Sequence, residues 1–175
     1  MIILVHMKKI LYRSSRGFTL IELLIVVAII GILAALLTTN FVAIRERARD
    51  AQRKSDLRQM QSALELYRSD NGSYPSTNGA YQLPNDVISG DGNCPDAGSF
   101  VANSTTYMQK IPCDPLNDTT YFNNGNYYYS SSGSTYTIAA CIENSNDTDQ
   151  NVTSTVPTGG SNCPNGNKYF VLQNP

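Results

Sequence analysis

Glu22 is the one charge within residues 17–37, GFTLIELLIVVAIIGILAALL. A lone carboxylate beside an apolar run is costly unless it finds a partner, so the chemistry open to it is charge pairing. Four cysteines, Cys94, Cys113, Cys141 and Cys163, all follow that run, an even number suited to two disulfides in an oxidising compartment. Pairing Cys94 with Cys113 and Cys141 with Cys163 is favoured among the possible connectivities. Each such bridge closes a local, loop-rich stretch and would contribute roughly 3 kcal/mol. A zinc site would want a C-x-x-C pair or a nearby histidine, and neither is present. Glu143, Asn144, Asp147 and Asp149 place hard oxygen ligands close in sequence, suitable in kind for Ca2+. Their spacing is not that of an EF-hand, and a solvated acidic loop is the competing account. The only histidine is His6, and no glycine-rich phosphate loop or nucleophile elbow occurs. Enzymatic activity is not expected.

The elements that must position these residues are legible from pattern. Residues 18–37 form a proline-free apolar run, long enough as a helix to cross a hydrocarbon core of about 30 Å. Lys8, Lys9, Arg13 and Arg16 precede it. A secretory signal would place its small-residue cleavage site after the apolar run, whereas here Gly17 comes before it. The helix is expected to continue to about Ser69. Residues 45–58, RERARDAQRKSDLR, alternate acid and base, with Glu46 and Asp50 at helical spacing from Arg49, Arg53 and Lys54. A solvated helix face is the simplest account of them; contact with lipid headgroups or with acidic patches of neighbours is the other. Leu57, Met60, Leu64 and Tyr67 then form an amphipathic stripe that should pack on a sheet. Gly72 suits a left-handed helix cap.

Beyond the helix, residues 76–125 read as a connecting region with a short helix or turn near 99–109. Residues 126–131 and 135–143 are strand-like around a turn at 132–134, and residues 168–173 form a third candidate strand. Residues 1–70 hold 11 of the 13 Lys and Arg; residues 71–175 hold Lys110 and Lys168 against eight acidic residues. That distal acidity gives no footprint for nucleic acid.

Gly17-Phe18-Thr19-Leu20-Ile21-Glu22, continuing as LLIVVAIIGILAAL, resembles the type III signal and N-terminal helix of type IV pilins and type II secretion pseudopilins. Tyr67 to Pro75 is similar to the Y-x-x-x-x-G-x-Y-P pattern that ends this helix in pseudopilin-like proteins. Lys110-Ile111-Pro112-Cys113-Asp114-Pro115 is similar to their I-P-x-D-P segment. Thr39 stands where many pilins carry a helix-kinking proline.

The resemblance implies an α+β, pilin-like fold: a long N-terminal helix, half transmembrane and half amphipathic, packed on a small antiparallel sheet. It implies a leader over 1–17, a transmembrane and filament-core helix over 18–40, and an amphipathic helix of the head over 41–72. A loop-rich connection over 73–125 and a disulfide-closed sheet region over 126–175 would follow. It further implies cleavage between Gly17 and Phe18 by prepilin peptidase, N-methylation of Phe18, and polymerisation into a homo-oligomeric filament by an inner-membrane platform and its ATPase. Glu22 of one subunit would pair with the Phe18 amine of a neighbour. The precursor would sit in the inner membrane with its head outside, then join a pilus or pseudopilus. Calcium bound in a distal loop of major pseudopilins adds to the case for residues 143–149. A minor pilin acting as an adhesin or DNA-uptake receptor, and a plain single-pass anchored protein, are the alternatives.

Overall fold

The computed structural model describes residues 17–77, 82–90, 92–116, 125–160, 163, 166 and 168–174, with backbone alone at 36–40. The chain divides into two compact units, Met1–Phe41 and Val42–Pro175, and the helix α1, Leu20–Asn71, contributes to both.

In the first unit, every described side chain from residue 17 to residue 35 is exposed. Phe18 is 82% exposed and Leu20 81%, and the large aliphatic side chains that follow are about half exposed. Among the described residues no helix is long and apolar enough to cross a membrane.

The second unit is built on the expected stripe. Leu57, Met60 and Leu64 are buried against the inner face of a four-stranded antiparallel sheet, and Tyr67 packs on the same core. The strands are β4 (Tyr128–Ser131), β5 (Tyr136–Ile142), β6 (Val152–Thr153) and β7 (Lys168–Gln173), in the order β4-β5-β7-β6. Alternation along the strands sorts two cores. Tyr129, Ile138, Ala140, Ile142, Phe170 and Leu172 face the helix side. Tyr128, Ala139, Cys141 and Tyr169 form a second cluster with Cys163. That explains why β5 is buried along most of its length: each face is covered, one by α1 and one by the chain running back to Cys163. The helix ends as its sequence predicts, two residues later than Ser69. Gly72 takes φ 77° and donates its N–H to the Arg68 carbonyl at 2.8 Å.

The 99–109 stretch corrects the expectation of a short helix or turn. It is a hairpin of β2 (Ser99–Ala102) and β3 (Thr105–Met108), extended by β1 (Ile88–Ser89) into a sheet of order β1-β2-β3. Asn103 and Ser104 turn it with φ of 49° and 65°, a left-handed pair matched to strand twist. Phe100 stacks on Tyr67 and Tyr107 meets it edge-on, with ring centroids 5.4 and 5.3 Å away, so the hairpin covers the end of the helical stripe. The disulfides join Cys94 to Cys113, closing the loop that carries β2 and β3, and Cys141 to Cys163.

Gly98 is required beside this sheet: its φ is +81°, and a Cβ there would lie 2.1 Å from the Ser89 carbonyl oxygen. Gly98→Ala is therefore expected to cost roughly 2–4 kcal/mol, read as a lowered denaturation midpoint with unchanged slope.

Candidate functional site

Two groups of residues carry function-bearing chemistry, one in each unit. The first lies at the start of α1. Thr19 and Glu22 form a capping box: the Thr19 N–H and hydroxyl donate to Glu22 Oε2 at 2.9 and 2.8 Å, and the Glu22 N–H reaches Thr19 Oγ1 at 3.3 Å. Glu22 thus has a partner within its own chain, which the sequence reading did not assign. The signal was present as Thr-x-x-Glu ahead of an apolar run. Gly17 is exposed, and a Cβ there would meet nothing within 4 Å. Among the described residues no packing contact demands a glycine at that position.

The second group lies in the head, where the charged stretch of α1 is a solvated face only in part: Arg45, Arg47 and Arg58 are exposed, while Asp50, Arg53 and Asp56 turn inward. Arg53 is 0% exposed, Asp50 2% and Asp56 9%. Arg53 donates to Asp114 through Nε at 2.6 Å and Nη2 at 3.0 Å, and through Nη1 to Asp50 at 2.8 Å and Glu143 at 2.6 Å. Arg49 adds a forked pair on Glu143, with Nε 2.7 Å from Oε1. Asp50 in turn accepts the backbone N–H groups of Glu143 and Asn144 at 3.0 and 2.8 Å. Asp56 accepts from the Tyr127 hydroxyl at 2.8 Å.

One stretch of helix thereby grips both the segment before the sheet and the loop after β5. Burial opposes the Arg53 charge, but Asp114, then Glu143 and Asp50, outweigh it and hold the guanidinium more firmly protonated than usual. Burial likewise pushes Glu143 up, yet the bonds from Arg49 and Arg53 prevail and leave its carboxyl below the ordinary glutamate value. Burial raises Asp56, the Tyr127 bond lowers it and nearby Asp114 raises it, for a net rise.

The residues named as calcium ligands sit in this clamp in other roles. Both Glu143 oxygens are held by guanidinium groups. Asn144 Oδ1 accepts the Asn146 N–H at 3.2 Å. Asp147 and Asp149 each turn Oδ1 to a backbone N–H, and their Oδ2 atoms take the Lys54 ammonium at 2.8 and 3.3 Å. Among the described residues no group of three or more His, Cys, Asp or Glu side chains is placed to hold a metal ion. The arrangement is that of an ion-paired loop, and it does not fit the oxygen cage that Ca2+ takes.

Comparison with known proteins bears on both groups. The prokaryotic N-terminal methylation motif matches residues 12–38, and the type II secretion system protein G model matches residues 40–152. The type II secretion system core protein G of Escherichia coli (strain K12) is 33% identical over 115 residues, 65% of this chain and 76% of that protein. Its Pseudomonas aeruginosa counterpart is 37% identical over 103 residues, 59% of this chain and 69% of that protein. The type IV wide pilus major component PilA4 of Thermus thermophilus is 50% identical over 68 residues, 39% of this chain and 52% of that protein. No solved structure matches. The match to the head, the methylation motif over the exposed apolar helix and the α+β fold agree: the chain belongs to the type II secretion system protein G family, whose members are pilin-like structural subunits and not enzymes.

Proposed function

We propose that this chain is made as a membrane-anchored precursor, trimmed between Gly17 and Phe18, methylated at Phe18 and polymerised into a pseudopilus or pilus. The single observation that carries this reading is the methylation motif lying over the start of α1, where every described side chain through residue 35 is exposed. A contiguous apolar surface of that size needs lipid or neighbouring subunits around it. In a bilayer it meets acyl chains; in a filament it meets copies of itself. The move from one to the other gains by packing and charge pairing, since little water is released. The protein G match over residues 40–152 covers much of the head, which favours a secretion pseudopilus over a surface pilus. Prepilin peptidase, an inner-membrane platform and its ATPase are the partners such a route requires.

Gly17 supports the proposed processing site from a different direction. Among the described residues nothing lies within 4 Å of a side chain placed there, so a glycine at this position fits a requirement of the peptidase that would cut after it. Gly17→Glu is expected to leave the precursor uncut, retaining a chain roughly 2 kDa heavier on a gel, while the head folds normally. Mass spectrometry of the native product tests the whole reading: a terminus at N-methylated Phe18 supports it, and a retained leader overturns it.

A further inference from the structure

From the contacts of Lys54, we infer that its ammonium is a built-in cation for the loop between β5 and β6, standing where a divalent ion would otherwise neutralise Asp147 and Asp149. Lys54 lies on α1 next to Arg53, and its Nζ sits 2.8 Å from Asp147 Oδ2 and 3.3 Å from Asp149 Oδ2. Its side chain is 16% exposed and its ammonium lies 5.3 Å from the Phe170 ring centroid, so the head group is delivered from the packed side of the helix. The loop does the rest with its own backbone. Asp147 Oδ1 accepts the Asp149 N–H at 2.9 Å, and Asp149 Oδ1 accepts the Asn151 N–H at 3.0 Å. Each carboxylate therefore spends one oxygen on loop geometry and the other on the ammonium.

The consequence is structural and local. The Asp149 carbonyl accepts the Val152 N–H at 2.9 Å, which launches β6 along β7. Neutralising Asp147 and Asp149 is thus what seats the edge strand. A Ca2+ ion needs six to eight oxygens at about 2.3–2.6 Å, and an ammonium already bonded to two of the candidates repels it. The head is accordingly closed without Ca2+, and removing Lys54 turns a closed ion pair into two adjacent acids that a divalent cation can bridge.

Thermal unfolding and limited proteolysis of the full chain in detergent, with EGTA or with about 1 mM CaCl2, test this. The wild type is expected to melt at the same temperature in both. Lys54→Met should melt roughly 3–5 °C lower in EGTA, expose residues 144–160 to protease, and recover with CaCl2 but not with NaCl of equal ionic strength. Lys54→Arg should behave as wild type. In a chain that also carries Asp147→Asn and Asp149→Asn, the calcium response of Lys54→Met should vanish. A saturable calcium response in the wild type overturns the inference. So does a Lys54→Met chain that melts like wild type, or one that loses stability without regaining it in CaCl2. Should Lys54→Met fail to fold, Lys54→Gln carries the same expectations.

Discussion

Arg53→Met should lower the stability of the head by roughly 3–5 kcal/mol, a fall in melting temperature of roughly 10 °C. The side chain is fully buried and touches three carboxylates, Asp50, Asp114 and Glu143. Methionine fills much of the stem's volume, so the loss comes from stranding negative charge away from water. The cost is larger than for Lys54, because that ammonium and its partners keep some solvent contact.

A pH series separates this from a simple packing defect. In the wild type Glu143 has a folded pKa below its unfolded value, near 4.3. Its contribution is present above that value and is lost as pH falls through the lower folded one. Asp56 has the opposite sign: its raised carboxyl detracts from stability as pH rises through the folded value. With Arg53 gone, protonation relieves buried negative charge. The gap between variant and wild type should therefore narrow as the pH is taken from about 7 toward about 4. A gap that stays constant would mean the loss is packing alone. Denaturant midpoints across that pH range give the answer.

This clamp was the least legible part of the sequence, for a physical reason. Acid and base three or four residues apart on a helix look alike whether they pair with each other in water or turn inward to distant partners. Of the pairs that helical spacing suggested, Arg53 with Asp50 is present at 2.8 Å. The deciding partners, Asp114 and Glu143, lie 61 and 90 residues from Arg53 along the chain, and no local pattern announces them. The stripe Leu57, Met60, Leu64 and Tyr67 was readable because burial of one helix face imposes a period over several turns. The strands β4, β5 and β7 were readable because aromatic and β-branched residues run between turn signals. The two residues of β6 and the four each of β2 and β3 are too short for periodicity to speak. Their hairpin is marked by Asn103 and Ser104, a turn that only its left-handed backbone reveals. Both disulfides were accessible because each closes a short separation, 19 and 22 residues.

At the other end of α1, Glu22→Gln is the substitution that isolates charge from capping. Glutamine can still serve the capping box with Thr19, so the helix start should survive and membrane insertion should be unchanged. On the proposed assembly, what it cannot do is neutralise the ammonium that cleavage would free at Phe18 of a neighbouring subunit. An ammonium left unpaired in an apolar filament core costs of order 3–5 kcal/mol per contact, roughly a hundredfold or more in association. Filament yield from Glu22→Gln should thus fall as far as that from Glu22→Val, which removes cap and charge together. Capping alone is worth about 1 kcal/mol. If glutamine restores filaments where valine does not, Glu22 serves only to start its own helix, and the pairing of subunits must be sought elsewhere. Sheared-filament yields and electron micrographs of both variants, at matched membrane levels of the precursor, distinguish the two outcomes.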